Sequence, residues 1–137
     1  KLTHIDFDMK QYFENQGMVE PDNEMLLTIV KRYFFLFHSE LKRFQLEGFY
    51  NSCSEYWKSK TSLEQMERVF RPLINDRFLT QDFRNANFSL NYQSGLRDTG
   101  ILVAGGSVIG SSKIEFYMEF FFESGQFRPF NFNLKQL

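Results

Sequence analysis

The hydrophobic pattern of the chain changes its period once, from a helical repeat in the first part to strict alternation in the second. After Pro21, apolar residues recur at spacings of three and four, which predicts one buried helix face that ends near Gly48. Asp22 or Asn23 precedes this helix and is a suitable N-cap. The predicted stripe consists of Leu26, Val30, Tyr33, Phe37, Leu41 and Phe44.

Two shorter helices are predicted to follow the long one. The second helix is expected to break near Lys58, and its apolar positions are Phe49, Cys53, Tyr56 and Trp57. Thr61 begins the third, because Thr61 and Glu64 have the spacing of a capping box. Pro72 should kink this helix or end it.

Alternation of apolar and polar residues after Asp82 predicts four antiparallel strands. Gly105 and Gly106 interrupt the second strand, where we expect a bulge or a sharp bend, and Gly125 marks a tight turn between the last two strands. If the alternation continues unbroken, Arg128 lies on the same face as Phe130, Phe132 and Leu134 and is the only charge on the apolar faces of the last two strands. The strands are predicted at 86–93, 101–109, 114–123 and 127–134.

These elements define an α+β fold, in which three N-terminal helices pack on a bent four-stranded antiparallel sheet. A chain of 137 residues suits a single hydrophobic core. We expect two parts: an acidic N-terminal arm over residues 1–23 and the α+β domain over residues 24–137.

The order of elements, together with Phe49-Tyr50, Gly105-Gly106 and the final aromatic strand Phe127–Phe132, resembles the NTF2-like (cystatin-like) superfamily. The resemblance covers residues 24–137. It implies a cone in which the bent sheet wraps the long first helix and often leaves a pocket. Members include isomerases, dehydratases and epoxide hydrolases, and also transport, assembly and immunity-type binding modules, so the fold does not choose between them.

The composition indicates that the interior is built largely from aromatic rings, since 18 residues are Phe and 18% of the chain is aromatic. Residues from the first two helices and the sheet should approach one another there. They either line an apolar pocket for a flat ligand or close completely. The predicted ligand-binding residues are Tyr33, Phe37, Tyr56, Trp57, Met118 and Phe120.

The predicted interior offers no catalytic group. Enzymes of the NTF2-like superfamily resemble one another in carrying a carboxylate or a His-Asp pair inside the cone, and this chain has no such residue on its predicted inner strand faces. Cys53 is the only cysteine and is expected to be a small buried hydrophobe. His38 is expected near the surface, far in sequence from His4. We therefore assign no catalytic residue, no metal site and no cofactor.

One predicted surface lies on the long helix, opposite its core face. Two basic pairs are eleven residues apart, close to three helical turns, and apolar side chains lie between them. Such a face is either an ordinary solvated helix surface or is covered by the chain's own acidic arm or by an acidic partner. Its residues are Lys31, Arg32, Phe35, Lys42, Arg43 and Leu46.

A second predicted surface is the outer face of the third strand, where Tyr117 and Phe121 alternate with glutamates and could support a homodimer. A net charge of −1 argues against general nucleic-acid binding, and no apolar run is long enough to span a membrane. The chain begins with Lys1, so removal of an export signal is one expectation, and the compartment is left open. The leading interpretation is a non-enzymatic binding or assembly module, and the alternative is a small-molecule isomerase or hydrolase.

Overall fold

The structure is a computed structural model that describes residues 9–73 and 76–137. Its helices precede its sheet, so the predicted α+β class is confirmed, although the described helices are more numerous and shorter than the three predicted. They are α1 (Met9–Asn15), α2 (Asn23–Leu41), α3 (Glu47–Ser52), α4 (Glu55–Lys60), α5 (Leu63–Phe70) and α6 (Asp76–Thr80), with a 3-10 turn at Arg71–Leu73. None of these helices is long and apolar enough to cross a membrane.

The described strands are β1 (Asn87–Leu90), β2 (Gly95–Leu96), β3 (Leu102–Ile109), β4 (Lys113–Glu123) and β5 (Gln126–Gln136). They form one antiparallel sheet, and its spatial order is β1-β3-β4-β5. A short extra strand, not predicted from the sequence, pairs with β3 beside β1. The tight turn predicted at Gly125 is confirmed: Ser124 and Gly125 both have positive φ, as a two-residue hairpin turn between β4 and β5 requires.

The bulge in the sheet lies between β4 and β5 and not at Gly105 and Gly106 of β3, where a bulge or a sharp bend was predicted. The pairing of β3 with β4 is regular through Gly105 and Gly106, and Gly106 instead allows close approach of β1, because a Cβ there would overlap the Ser89 carbonyl. The register between β4 and β5 shifts at Glu119/Phe120. One extra residue on β5 reverses its alternation.

This bulge corrects the predicted faces of β5. Toward its N-terminus, Phe127 and Pro129 are the buried residues, whereas Phe130 stacks on the outer-face residue Phe121 with ring centroids 3.9 Å apart. Arg128 pairs directly with Phe121 in the register. The prediction that Phe130 and Arg128 share the inner face with Phe132 was therefore wrong.

The core is a continuous set of aromatic rings between α2 and the sheet. Phe37 is fully buried, and its ring lies 4.8 Å from Phe70, 4.8 Å from Phe132 and 5.2 Å from Phe49 between centroids. Phe34 makes a similar set of edge-to-face contacts on the side of α2 nearer β1. Aromatic pairs in this geometry add to the stability gained from burying their area.

The long helix ends at Leu41, earlier than predicted, and this changes the positions of two predicted residues. Phe44 is not in the buried stripe: it has a φ of 58° and is 70% exposed. Leu46 is not on the exposed basic face: it is 1% exposed and immediately precedes α3. The chain reverses between these two residues, so the helical period does not continue through them.

The shorter helices also begin at other residues than predicted. Cys53 and Ser54 separate α3 from α4, and the Ser54 hydroxyl caps the N-terminus of α4. The capping box of α5 is formed by Ser62 and Gln65, one residue later than the predicted pair. Ser62 takes this role because its backbone is extended immediately before the first helical residue.

The corner between α2 and α3 is held by the carboxylate of Glu40, a buried residue near the end of α2. Its Oε1 accepts from the Phe49 amide at 2.7 Å and its Oε2 from the Gly48 amide at 3.1 Å. The N-cap of α3 is Leu46, which has no polar side chain, and its amide donates to Glu67 Oε2 at 3.0 Å. The carboxylates of Glu40 and Glu67 therefore accept hydrogen bonds from the backbone amides at the start of α3, which have no partner within the helix.

Glu40→Ala should lower the free energy of unfolding by about 2–3 kcal/mol, since it removes two charge-assisted hydrogen bonds at a buried helix start. Gly48→Ala should also destabilise, because a Cβ at this position would overlap Glu40 Oε2. Urea unfolding measures both. The control is Glu47→Ala, which removes an exposed carboxylate from the same helix start. If Glu40→Ala costs no more than Glu47→Ala, the capping account is wrong.

Candidate functional site

The residues predicted to line an interior pocket pack directly against one another. Tyr33, Phe37, Met118 and Phe120 are each at most 2% exposed. The rings of Tyr33 and Phe120 lie 5.7 Å apart, and the Tyr33 hydroxyl donates to the Phe127 carbonyl at 2.7 Å. Side chains therefore fill this part of the interior, which favours the closed alternative over a ligand pocket.

Tyr56 and Trp57 do not join this interior set. Trp57 is half-buried beside Phe49, with ring centroids 6.5 Å apart. Tyr56 is 55% exposed and contacts Phe121 on the outer sheet face, so its predicted inward position is wrong. The reason is that α4 follows the edge of β5, where the Ser54 amide donates to the Pro129 carbonyl at 2.9 Å.

An open concavity lies between the second half of α2 and the segment that follows α6. It has a volume of about 610 Å³ and is open to solvent. We call it the cationic cleft, and it is lined by Phe35, His38, Ser39, Lys42, Arg43, Gln81, Asp82, Phe83 and Arg84. The cleft thus brings together three residues of the predicted surface, Phe35, Lys42 and Arg43, and also His38.

The floor of the cationic cleft is apolar. Phe35 is half-buried and packs edge-to-face on Phe34 and Phe88, at 6.1 and 5.6 Å between centroids. Phe83 is 2% exposed and packs 5.0 Å from Phe34. Next to this floor, the Lys31 ammonium lies 5.5 Å from the Phe88 ring centroid, which extends the cationic surface along α2.

The rim of the cleft carries more positive than negative charge. Lys42 and Arg43 are exposed at the end of α2. Asp82 and Arg84 form a bidentate ion pair, with Arg84 Nη2 2.7 Å from Asp82 Oδ2. The hydrogen bonds from Arg84 hold the pKa of Asp82 below its usual range. Because Asp82 already has a cationic partner, Lys42 and Arg43 provide the net charge of the rim.

His38 is buried in the wall of the cleft and is not a surface residue, contrary to the prediction. It is 7% exposed, and its Nε2–H donates to the Phe78 carbonyl at 3.0 Å. Its ring packs edge-on to Phe83 at 4.7 Å. Burial lowers the pKa of His38, so the neutral ring is favoured. His38 thereby attaches the segment around α6 to α2.

Gln81 is a buried residue of the cleft wall that was not predicted from the sequence. It is 7% exposed, and its side-chain amide donates to the Ser112 hydroxyl at 2.7 Å and to the Arg77 carbonyl at 3.1 Å. This fixes the wall of the cleft to the turn before β4. No periodic pattern covers residues 81–84, so this wall could not be predicted from local periodicity.

Lys31, Arg32 and Leu46 are the predicted surface residues that do not line the cleft. Arg32 is exposed, and burial raises the pKa of Tyr33 by more than the charge of Arg32 lowers it. Leu46 is buried because α2 ends before it. Of the predicted partner surface, Phe35, Lys42 and Arg43 thus meet at the cleft, with Lys31 beside them.

The described part of the acidic arm lies away from the basic face. The Lys10 amide donates to the Asp98 carbonyl at 3.1 Å, and Phe13 packs against Gly100. Met18 is 3% exposed in the core. The idea that the arm covers the surface around Phe35 is therefore wrong for residues 9–23, and residues 1–8 lie outside the described residues.

The outer sheet face carries the aromatic residues predicted for a dimer contact. Phe121 lies between Tyr56 and Phe130, and Tyr117 donates to Glu119 at 3.2 Å. The Glu119 carboxylate also accepts from the Asn131 amide at 2.9 Å. The Glu119 carboxylate therefore already has hydrogen-bond donors on the same sheet face. Self-association through this face stays a prediction.

Cys53 is a buried free thiol. Burial raises the pKa of the Cys53 thiol to about 12, so it is protonated at neutral pH and packs as an apolar residue. Within residues 9–73 and 76–137, no three His, Cys, Asp or Glu side chains are grouped so that they could hold a metal ion.

These features define a small α+β domain with a filled aromatic core and an open cationic cleft. No family model, curated protein or solved structure matches the chain.

The buried His38 makes the stability of the domain depend on pH. Since its folded-state pKa lies below 6.5, the unfolded chain binds the proton more readily, and the contribution of neutral His38 is lost as pH falls below about 6.5 toward the folded-state value. Urea unfolding between pH about 7.5 and about 5 should show a smaller loss of stability for His38→Gln than for the unsubstituted chain. Equal losses would contradict this assignment.

Proposed function

We propose that the protein is a non-enzymatic binding module that holds an acidic segment of a partner protein in the cationic cleft. The observation that carries this proposal is the combination of an apolar floor, Phe35 and Phe83, with two exposed cations, Lys42 and Arg43, on one rim. An apolar floor supplies affinity through buried area, and the cations supply attraction and orientation. An acidic chain with apolar side chains matches both.

The acid–base groups of the cleft support binding over catalysis. His38 donates its Nε2–H to a backbone carbonyl, and Asp82 is engaged by Arg84. Each group is occupied by a contact within the fold. A general base needs to be free to reach a substrate proton, so neither geometry favours that role.

We further propose an NTF2-like relationship for the domain. Support comes from the order of elements, helices before an antiparallel sheet, and from the long helix α2 packed across its inner face. The filled interior around Phe37 and Met118 differs from the open cone of pocket-bearing members. In this proposal the binding function belongs to the surface of the domain rather than to its interior.

Charge reversal of the rim tests the proposed function. Lys42→Glu with Arg43→Glu should weaken binding of a short fluorescein-labelled peptide, in which glutamate alternates with leucine, by tenfold or more. Added salt should weaken binding to the unsubstituted protein, because the attraction is between exposed charges. Fluorescence polarisation measures both effects.

The matched control is Lys60→Glu with Lys113→Glu, which changes the net charge equally at exposed residues outside the cleft. This control should retain most of the peptide affinity. Equal losses in the two double variants would mean that only net charge matters, and the cleft proposal would then be rejected.

A further inference from the structure

Phe44 has a backbone conformation that normally belongs to glycine. Its φ is 58°, and its amide donates to the Leu41 carbonyl at 3.0 Å, while the Gln45 amide donates to the Glu40 carbonyl at 3.2 Å. This pair of hydrogen bonds is the Schellman motif, with Phe44 at the left-handed C′ position. A bulky side chain is strongly disfavoured there, because its Cβ crowds the backbone.

The side chain of Phe44 gains little from the fold in return. It is 70% exposed, so most of its ring is in contact with water. The hydrophobic contact that often accompanies a Schellman motif joins C″ to C3, which here are the polar residues Gln45 and Glu40. Glycine at position 44 would therefore serve the helix end better than phenylalanine. The ring is unfavourable in both its conformation and its exposure.

The surroundings of Phe44 indicate what kind of partner would contact it. Lys42 and Arg43 precede it and line the cationic cleft. On its other side, Phe44 and the exposed Arg71 line a second concavity of about 160 Å³. Cations on both sides of an exposed ring complement an acidic segment that also carries apolar side chains.

The shape of this surface favours a protein segment over an anionic membrane. Lys42 and Arg43 lie on the rim of a cleft of about 610 Å³, and a concave site holds an extended chain better than a flat bilayer. The carboxylate of Glu67 also lines the smaller concavity beside Phe44. This carboxylate would repel an anionic lipid headgroup and a peptide carboxylate alike. A peptide, however, can place an uncharged amide next to Glu67, whereas every headgroup of an anionic bilayer is charged.

We infer that Phe44 is the apolar anchor of the binding surface at the cationic cleft, and that its ring packs against apolar side chains of the acidic partner segment. This inference rests on the proposed function and deepens it. It explains why an aromatic residue occupies a position that is conformationally suited to glycine: its contribution is to binding, and the folded domain is less stable because of it.

Two substitutions separate binding from folding. Phe44→Gly and Phe44→Asn both suit a left-handed position and remove the ring. Phe44→Gly should raise the urea midpoint of unfolding, and Phe44→Asn should raise it or leave it unchanged. Both substitutions should weaken binding of the peptide that alternates glutamate with leucine by about tenfold. Phe44→Trp keeps a ring and should retain that affinity.

A second peptide, in which serine replaces leucine, tests the apolar contact. The unsubstituted protein should prefer the leucine peptide, and this preference should disappear in Phe44→Gly. If Phe44→Gly keeps the preference while Lys42→Glu with Arg43→Glu weakens both peptides, the anchor inference is overturned and the proposed function stands. If neither peptide binds the unsubstituted protein, both are overturned.

Vesicles of phosphatidylglycerol serve as the competing probe. Little or no binding to them is expected, or binding that does not depend on Phe44. If Phe44→Gly abolishes vesicle binding while the leucine and serine peptides bind the unsubstituted protein equally, the partner is a membrane surface, and the inference of a protein segment is overturned.

Discussion

The reversal of the chain after α2 is the constraint on which the rest of the surface depends. The Glu40 carboxylate accepts from the first turn of α3 and thereby fixes the direction in which the chain leaves the helix. With that direction fixed, Leu46 and Phe49 enter the core while Lys42, Arg43 and Phe44 stay outside. One buried carboxylate thus separates the residues that stabilise the domain from those that we propose to bind a partner.

The aromatic core and the cationic cleft are connected through the same helix. Phe34 and Phe37 of α2 contact rings from the sheet and the smaller helices, and His38, next along the helix, holds the Phe78 carbonyl. Phe83 packs on both Phe34 and His38. The wall of the cleft is therefore positioned by core packing, and such preorganisation reduces the entropy lost in the binding that we propose.

The sequence predicts those parts of the structure that local periodicity determines. Spacings of three and four identified the buried stripe of α2 from Leu26 to Leu41, but not the buried residues Phe34, His38 and Glu40. Alternation identified the two faces of β4. Tertiary contacts decided the rest. The end of α2 depends on an interaction between Glu40 and amides eight and nine residues later, and the inner face of β5 depends on a bulge at Glu119/Phe120. Neither produces a periodic signal.

For the candidate site, the basic pair Lys42-Arg43 and Phe35 were found from the helical pattern, whereas Gln81 to Arg84 were not, because only the folded chain brings that segment to α2. The most direct test of the whole account is a two-dimensional NMR titration of the labelled protein with the peptide that alternates glutamate with leucine. The account predicts that the largest amide shifts map to Lys42–Phe44 and Asp82–Arg84. Shifts confined to the outer sheet face around Phe121, or to the core around Phe37, would contradict it.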